Sequence, residues 1–310
     1  MRSLPMIVMG VAAATLTVSI SAARADADSL TEDQGARELA LGGGMRAGAT
    51  GALATTLNPA GLPLSQDLVF EGAYGYRPSD SASVLHLSAC DSTTAAPGCF
   101  YYNYVSASPG ADGMETKRRA HTFGLTMSRQ ILPHILIGSA VKYFDYNSKV
   151  MGETDTSGFN WDLGMTVKVS DLVNIAVVGY DLWGAKSTQF PRAIGSGIMA
   201  RPTPAMSLVF DGLWNLDASG KTGRYGGGAE YYFTGRQGQL GVPVRLGAVY
   251  DSAMSGTFIS GGLGLTSLKV GLDLGARKEV KGGDEFVFTA SLRFFGPRGV
   301  SSGGGGQFLQ

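Results

Sequence analysis

From Asp67 to Phe295 the chain runs in short segments of alternating apolar and polar residues, separated by turn-forming residues. That period of two is the signature of β-strands, whose side chains point to opposite faces in turn. In 268–277, Leu268, Val270, Leu272 and Leu274 share one face, while Lys269, Gly271, Asp273 and Gly275 share the other. In 159–169, Trp161, Leu163, Met165 and Val167 oppose Asn160, Asp162, Gly164, Thr166 and Lys168. In 285–295, Phe286, Phe288, Ala290, Leu292 and Phe294 oppose Thr289, Ser291 and Arg293. Carried along the chain, the pattern predicts fourteen strands: 67–76, 82–90, 99–107, 119–129, 134–145, 159–169, 173–183, 192–200, 205–214, 224–233, 240–250, 257–266, 268–277 and 285–295.

Alternation alone fits a soluble β-sandwich as well as a membrane barrel. Connection lengths separate the two. Those after even-numbered strands are mostly very short (Gln130–Pro133, Ser170–Leu172, Arg201–Pro204, Ser267), and the opposite set is mostly longer (Ser108–Arg118, Asn147–Gly158, Gly184–Pro191, Asn215–Gly223). Exceptions are Thr234–Gln239 and Asp91–Gly98. Short turns at one end and longer loops at the other are the habit of outer-membrane barrels. Aromatic residues collect near strand ends. Tyr74, Tyr76, Tyr104, Tyr143, Tyr146, Tyr180, Trp183, Trp214 and Tyr250 are expected in an outer girdle, and Phe100, Tyr101, Tyr102, Tyr231, Tyr232, Phe233, Phe294 and Phe295 in an inner one. The predicted fold is therefore all-β, a transmembrane antiparallel barrel of about fourteen strands.

The stretch from Glu38 to Leu64 breaks the pattern. It is nearly all Gly, Ala, Thr and Leu with no sustained period, and Pro59 and Gly61 punctuate its end. Such a segment is apolar yet unable to build its own core, so something must enclose it. The expected organisation is a signal peptide over 1–25, a plug inside the barrel over 26–66, the barrel over 67–295 and a disordered Gly/Ser-rich periplasmic tail over 296–310. The signal reading rests on the apolar run Leu4–Ile20 followed by Ala23-Arg24-Ala25.

Two short motifs in this stretch, Leu41-Gly42-Gly43 and Asn58-Pro59-Ala60-Gly61-Leu62, resemble the N-terminal hatch of the FadL-like family, outer-membrane transporters of fatty acids and other hydrophobic compounds. The same pattern opens the related PorV-type barrels, which bind secreted proteins. The resemblance implies a Gram-negative outer-membrane barrel surrounded by lipid, and passive uptake of a hydrophobic small molecule such as a long-chain fatty acid. In that family the ligand displaces part of the hatch and leaves through a gap in the wall. Asn58, Pro59, Ala60, Gly61 and Leu62 are the residues carried over to the ligand path. The alternative is a non-transport barrel that binds a partner protein or serves a structural role. The outer loops predicted here are shorter than those of well-known family members, which favours that alternative.

Charge and chemistry narrow this further. Twenty-five basic and twenty-five acidic residues leave no net field to draw nucleic acid. Gly42-x-Gly44-x-x-Ala47 lacks the strand and βαβ unit of a dinucleotide loop, so no cofactor is expected. His86, His121 and His134 are scattered and no serine has a nucleophile-elbow context, so the chain reads as a non-enzyme; an outer-membrane lipase pairing His86 and His121 across strands is the weaker reading. Lys142, Asp162, Asp211, Glu230, Arg245, Lys269, Asp273 and Arg293 fall on the polar faces and are expected to point into the lumen, where opposite signs must pair. Cys90 and Cys99, the only cysteines, flank a short connection and are expected to form a disulfide in an oxidising compartment; they are too few for a metal site.

Overall fold

The computed structural model describes residues 35–108, 116–184, 190–220, 222–235 and 240–296. The proposed signal peptide, the first part of the proposed plug (26–34) and the tail beyond Gly296 lie outside these residues. Strands β1 (Leu68–Arg77), β2 (Ala82–Asp91), β3 (Gly98–Ala107), β4 (Arg118–Leu132), β5 (Ile135–Ser148), β6 (Thr156–Lys168) and β7 (Val173–Gly184) form half of the sheet. Strands β8 (Ala193–Thr203), β9 (Met206–Asn215), β10 (Gly223–Thr234), β11 (Leu240–Asp251), β12 (Gly256–Ser267), β13 (Val270–Lys281) and β14 (Phe286–Phe295) form the rest. Each pairs antiparallel with its neighbour in sequence, and β1 pairs with β14 through Val69↔Phe295 to Tyr76↔Phe288, so the barrel is closed and has no edge.

The two-residue period sorts side chains between outside and inside. Phe70, Leu87, Phe123, Leu163, Leu246, Leu274 and Phe294 point outward and are exposed, whereas Thr126, Thr166, Thr289, Asp273 and Arg245 point inward and are buried. The outer wall is apolar and the lumen polar, the reverse of a soluble sandwich. Connections at one end span 92–97, 133–134, 169–172, 204–205, 235–239 and 268–269; those at the other span 78–81, 108–117, 149–155, 185–192, 216–222, 252–255 and 282–285. We refer to these as the short-turn and long-loop ends.

Strand parity corrects part of the expected aromatic girdle. Tyr101, Tyr146 and Tyr180 occupy inward positions and are buried in the lumen. Proximity to a strand end does not place a ring in a girdle; the face it occupies does. Lys269 is also corrected. β13 begins at Val270, and the Ser267 hydroxyl accepts the Lys269 and Val270 amides, so Lys269 lies exposed in a tight turn rather than in the lumen.

Inside the barrel, residues 35–64 form two short helices, α1 (Ala36–Ala40) and α2 (Ala52–Thr56), with 3-10 turns at Arg46–Gly48 and Pro59–Leu64. Leu39, Leu41, Leu57 and Leu62 are almost fully buried, although the segment has no core of its own.

Candidate functional site: the occupied lumen

The inner segment travels around the inside of the wall. It passes β14, β13 and β12 at α1, then β11 to β8 along Leu41–Gly48, and β7 to β4 along Leu57–Leu62, while α2 sits against β2, β3 and β4. The wall lets the backbone this close because inward positions along the route are glycine. A Cβ at Gly275 would meet Ala36, at Gly262 Ala40, at Gly247 Leu41 and Gly42, at Gly197 Arg46, at Gly164 Asn58 and at Gly138 the Pro59 carbonyl. Glycine at these six positions is thus a packing requirement of the lumen.

Polar ties fix the circuit at intervals. The Ser291 hydroxyl accepts the Ala36 amide at 3.0 Å, and the Ser260 hydroxyl donates to the Ala40 carbonyl at 3.1 Å. Asp211 Oδ2 accepts the amides of Met45 at 3.0 Å and Arg46 at 2.8 Å, and pairs with Arg46 Nη1 at 3.2 Å. Arg46 Nε donates to the Tyr180 hydroxyl at 2.8 Å, and that hydroxyl donates to the Leu57 carbonyl. Asn58 is fully satisfied: Oδ1 accepts the Ala60 amide at 3.0 Å, and Nδ2 donates to the Arg46 carbonyl and to Thr166 Oγ1, both at 2.8 Å. It caps the turn that Pro59 opens, since proline at the first position has a preset φ and lacks only an amide that would be unpaired there. Gly61 lies directly beneath the Ala49 carbonyl, leaving no room for a side chain.

Four of the lumen-facing charges singled out in the sequence meet in one row. Glu230 takes Arg37 Nη2 at 2.7 Å and Arg245 Nε at 2.5 Å, and Asp273 takes Arg245 Nη1 at 2.6 Å and Arg293 Nη2 at 2.5 Å. Alternating signs let buried charges neutralise one another across β10, β11, β13 and β14. Lys142 and Asp162 form a second group at 3.0 Å, completed by Asp181, also 3.0 Å from Lys142. Asp211 forms a third with Arg46. Strand parity would send Asp181 outward. A bulge in β7, with Asp181 at φ 50°, turns it into the lumen and places its amide on Asp162 Oδ1 at 2.8 Å. Arg37 and Arg46 were also missed as site residues, although two cations in an otherwise apolar stretch are a readable signal.

Cys90 and Cys99 are directly opposed on β2 and β3, joined by a disulfide with a Cα separation of 4.0 Å, and buried against Leu53 and Leu57. His86 points inward and bonds Asn103 at 2.5 Å, whereas His121 points outward and bonds the Tyr102 hydroxyl at 2.9 Å. The wall separates these two histidines, so they do not converge on one catalytic centre. His134 lies in the β4–β5 turn.

Above the inner segment, toward the long-loop end, Val84, Val105, Phe144 and Tyr146 pack with Phe190 from the 185–192 connection, Phe144 and Phe190 lying 4.2 Å apart between ring centroids. At the rim, Glu153 accepts from Arg118, from the Tyr146 hydroxyl at 2.6 Å and from the Ser148 hydroxyl at 2.6 Å. Burial raises the affinity of Glu153 for a proton, but these hydrogen bonds, Arg118 foremost, outweigh it and hold the carboxyl below its usual range. A carboxylate of lowered pKa contributes stability that is complete above the ordinary carboxylate range and is lost as pH falls through the lowered value. We therefore expect the 149–155 loop to become more sensitive to an acid-active protease as pH drops below about 4, the ordinary glutamate range, and Glu153→Gln to be sensitive already at neutral pH. An unchanged cleavage rate in the variant would refute the role given to this carboxylate.

The outer wall carries a concave apolar groove of about 1030 Å³ across β14 and β1 to β6. Its sides are outward rings and aliphatic groups, among them Phe70, Leu87, Phe100, Phe123, Phe159 and Phe294, and its floor is shallow at Gly72, Ala89 and Gly124, where side chains are small or absent.

The described residues form a closed fourteen-stranded antiparallel β-barrel with residues 35–64 against the inner face of its wall. Comparison of the sequence with protein-family profiles and with curated proteins gives no match. Solved structures do share the fold. The CymD monoaromatic hydrocarbon channel is similar with a TM-score of 0.61 at 13% identity, over 86% of this chain and 98% of that one. The Pseudomonas putida toluene transporter TodX gives 0.58 at 12% identity, over 85% and 98%. A Pseudomonas aeruginosa FadL homologue gives 0.58 at 9% identity, over 84% and 98%.

Proposed function

We propose that this protein is a Gram-negative outer-membrane channel for passive uptake of hydrophobic small molecules, with residues 35–64 acting as its hatch. The observation that carries the reading is a barrel whose lumen is filled by a glycine-accommodated segment while its outer wall bears an aromatic groove. A polar lumen without a hatch would suit a general porin; here the hatch blocks water, and the groove offers an apolar ligand a place to enter the bilayer. The likeness to hydrocarbon and toluene channels supports this class of ligand. Catalysis forms no part of the reading. In this orientation the long-loop end faces outward. Cysteines at Met151 and Ser219 are expected to react with an impermeant thiol reagent on whole cells and one at Asp171 is not; the reverse pattern would invert the topology.

Cells lacking the protein are expected to take up radiolabelled toluene or oleate several-fold more slowly, with recovery on complementation. The short long-loop connections, none exceeding the ten residues of 108–117, favour a second reading as a partner-binding barrel. Unaltered uptake of both compounds, together with loss of a secreted protein from the cell surface, would replace transport with that role.

A further inference from the structure

The ties that hold the inner segment are unevenly placed. Among the described residues, Ala49–Thr56 has no hydrogen bond to the barrel; the Thr55 hydroxyl turns back to the Ala52 carbonyl of its own helix. α2 is held by apolar packing alone, through Leu53 and Ala54 with Leu57 beside them, against the Cys90–Cys99 bridge. α2 is preceded by Gly51 and followed by the anchored Asn58. Gly51 has φ 55° and ψ −129°, a conformation that disfavours any side chain, and a Cβ there would meet nothing within 4 Å. Gly51 is buried, yet the space on its Cβ side is open.

The wall beneath α2 is unusual in the complementary way. Ser88 and Ser92 flank Cys90 along β2 and just beyond it, Thr126 pairs across from Cys99, and Ser128 follows Thr126 on the same face of β4. All four hydroxyls are buried and have no hydrogen-bond partner among the described residues; α2 lies against β2, β3 and β4 here with its Thr55 hydroxyl bonded within the helix. Buried hydroxyls without partners are costly to maintain unless something else uses them. The ionisable side chain beside this patch is Glu71, directly opposite Ser88 on β1, so an anionic head group placed there would face a second carboxyl.

Resting on the transport reading above, we infer that α2 is the part of the hatch that lifts, turning about Gly51, and that it uncovers a binding site on the hydroxyl face of β2 and β4 for a hydrophobic compound with a neutral hydrogen-bonding group, a phenol or an alkanol. The bridge and the methyl groups take the apolar body of the ligand; the serine and threonine hydroxyls, each donor and acceptor, take its hydroxyl. The remainder of the segment stays in place through Asp211, Thr166, Ser291 and Glu230.

Amide hydrogen exchange on the purified full chain in detergent tests this, with 4-hexylphenol, hexylbenzene and 4-hexylbenzoate as probes. Residues 51–57 are expected to exchange at least tenfold faster than 58–64. Hexylphenol should accelerate them a further fivefold or more, while hexylbenzene and hexylbenzoate should have little effect. Thr126→Val, close in shape to the native residue, and Ser128→Ala should each reduce the hexylphenol response and together abolish it, with barrel folding checked by heat-modifiable gel migration. Equal exchange of the two stretches, an equal response to the three probes, or a full response in the double variant would each overturn the site. Uptake of toluene by cells reports separately on transport. Normal uptake with no probe preference removes this site alone, whereas a preserved preference without uptake removes the transport reading alone.

Discussion

Replacing Asp211 by Ala is expected to loosen the inner segment strongly. Its carboxylate takes two backbone amides and one guanidinium nitrogen of Met45–Arg46, and both Arg46 and Asp211 are more than nine-tenths buried. Removing one partner of a buried pair leaves the other charge uncompensated, a loss of about 3–5 kcal/mol. The barrel strands keep their own ladders, so the effect should appear in the inner segment: exchange of the 42–48 amides should rise by two orders of magnitude or more, and reconstituted protein should leak small ions. Asp211→Asn combined with Arg46→Met removes both charges and retains an amide oxygen for the two backbone donors. It should restore most of the protection, since a buried pair replaced as a whole costs little. A single variant that behaves like the parent in both measurements would mean the pair does not hold the segment.

The second large effect is expected from Gly138→Val. A Cβ at this inward position of β5 would collide with the Pro59 carbonyl group and the Ala60 amide, both backbone atoms that a rotamer change cannot move. The turn must shift, and with it the Asn58 side chain, whose three hydrogen bonds are each worth about 1 kcal/mol. With the strain of overpacking added, roughly 3–5 kcal/mol of hatch docking would be lost. Gly72→Ala is the control. It faces the outer groove, where its Cβ would touch only Leu87 Cδ2 at an ordinary 3.4 Å. Single-channel recording should show frequent openings for Gly138→Val and a closed baseline for Gly72→Ala. Similar behaviour of the two would refute the view that wall glycines exist to seat the hatch.

The sequence by itself determined the barrel. A strand's side chains alternate whatever surrounds it, so Leu272 and Asp273, or Trp161 and Asp162, declare opposite faces without knowledge of their neighbours. Strand order follows almost automatically, since tight turns such as 133–134 and 204–205 leave antiparallel pairing with the next strand as the simple solution. The stretch 38–64 also announced its need for enclosure through composition alone. What tertiary structure decided was every pairing that crosses the lumen. Arg46 and Asp211 are 165 residues apart, and no local period links them. Asp181 reaches Lys142 only because a bulge breaks the alternation that otherwise makes strands legible. Lys269 fits the inward face by parity, yet the Ser267 hydroxyl bonds hold it in a turn. Faces are set by local backbone geometry; which inward groups meet depends on the register and closure of the whole wall and on the route the inner segment takes across it.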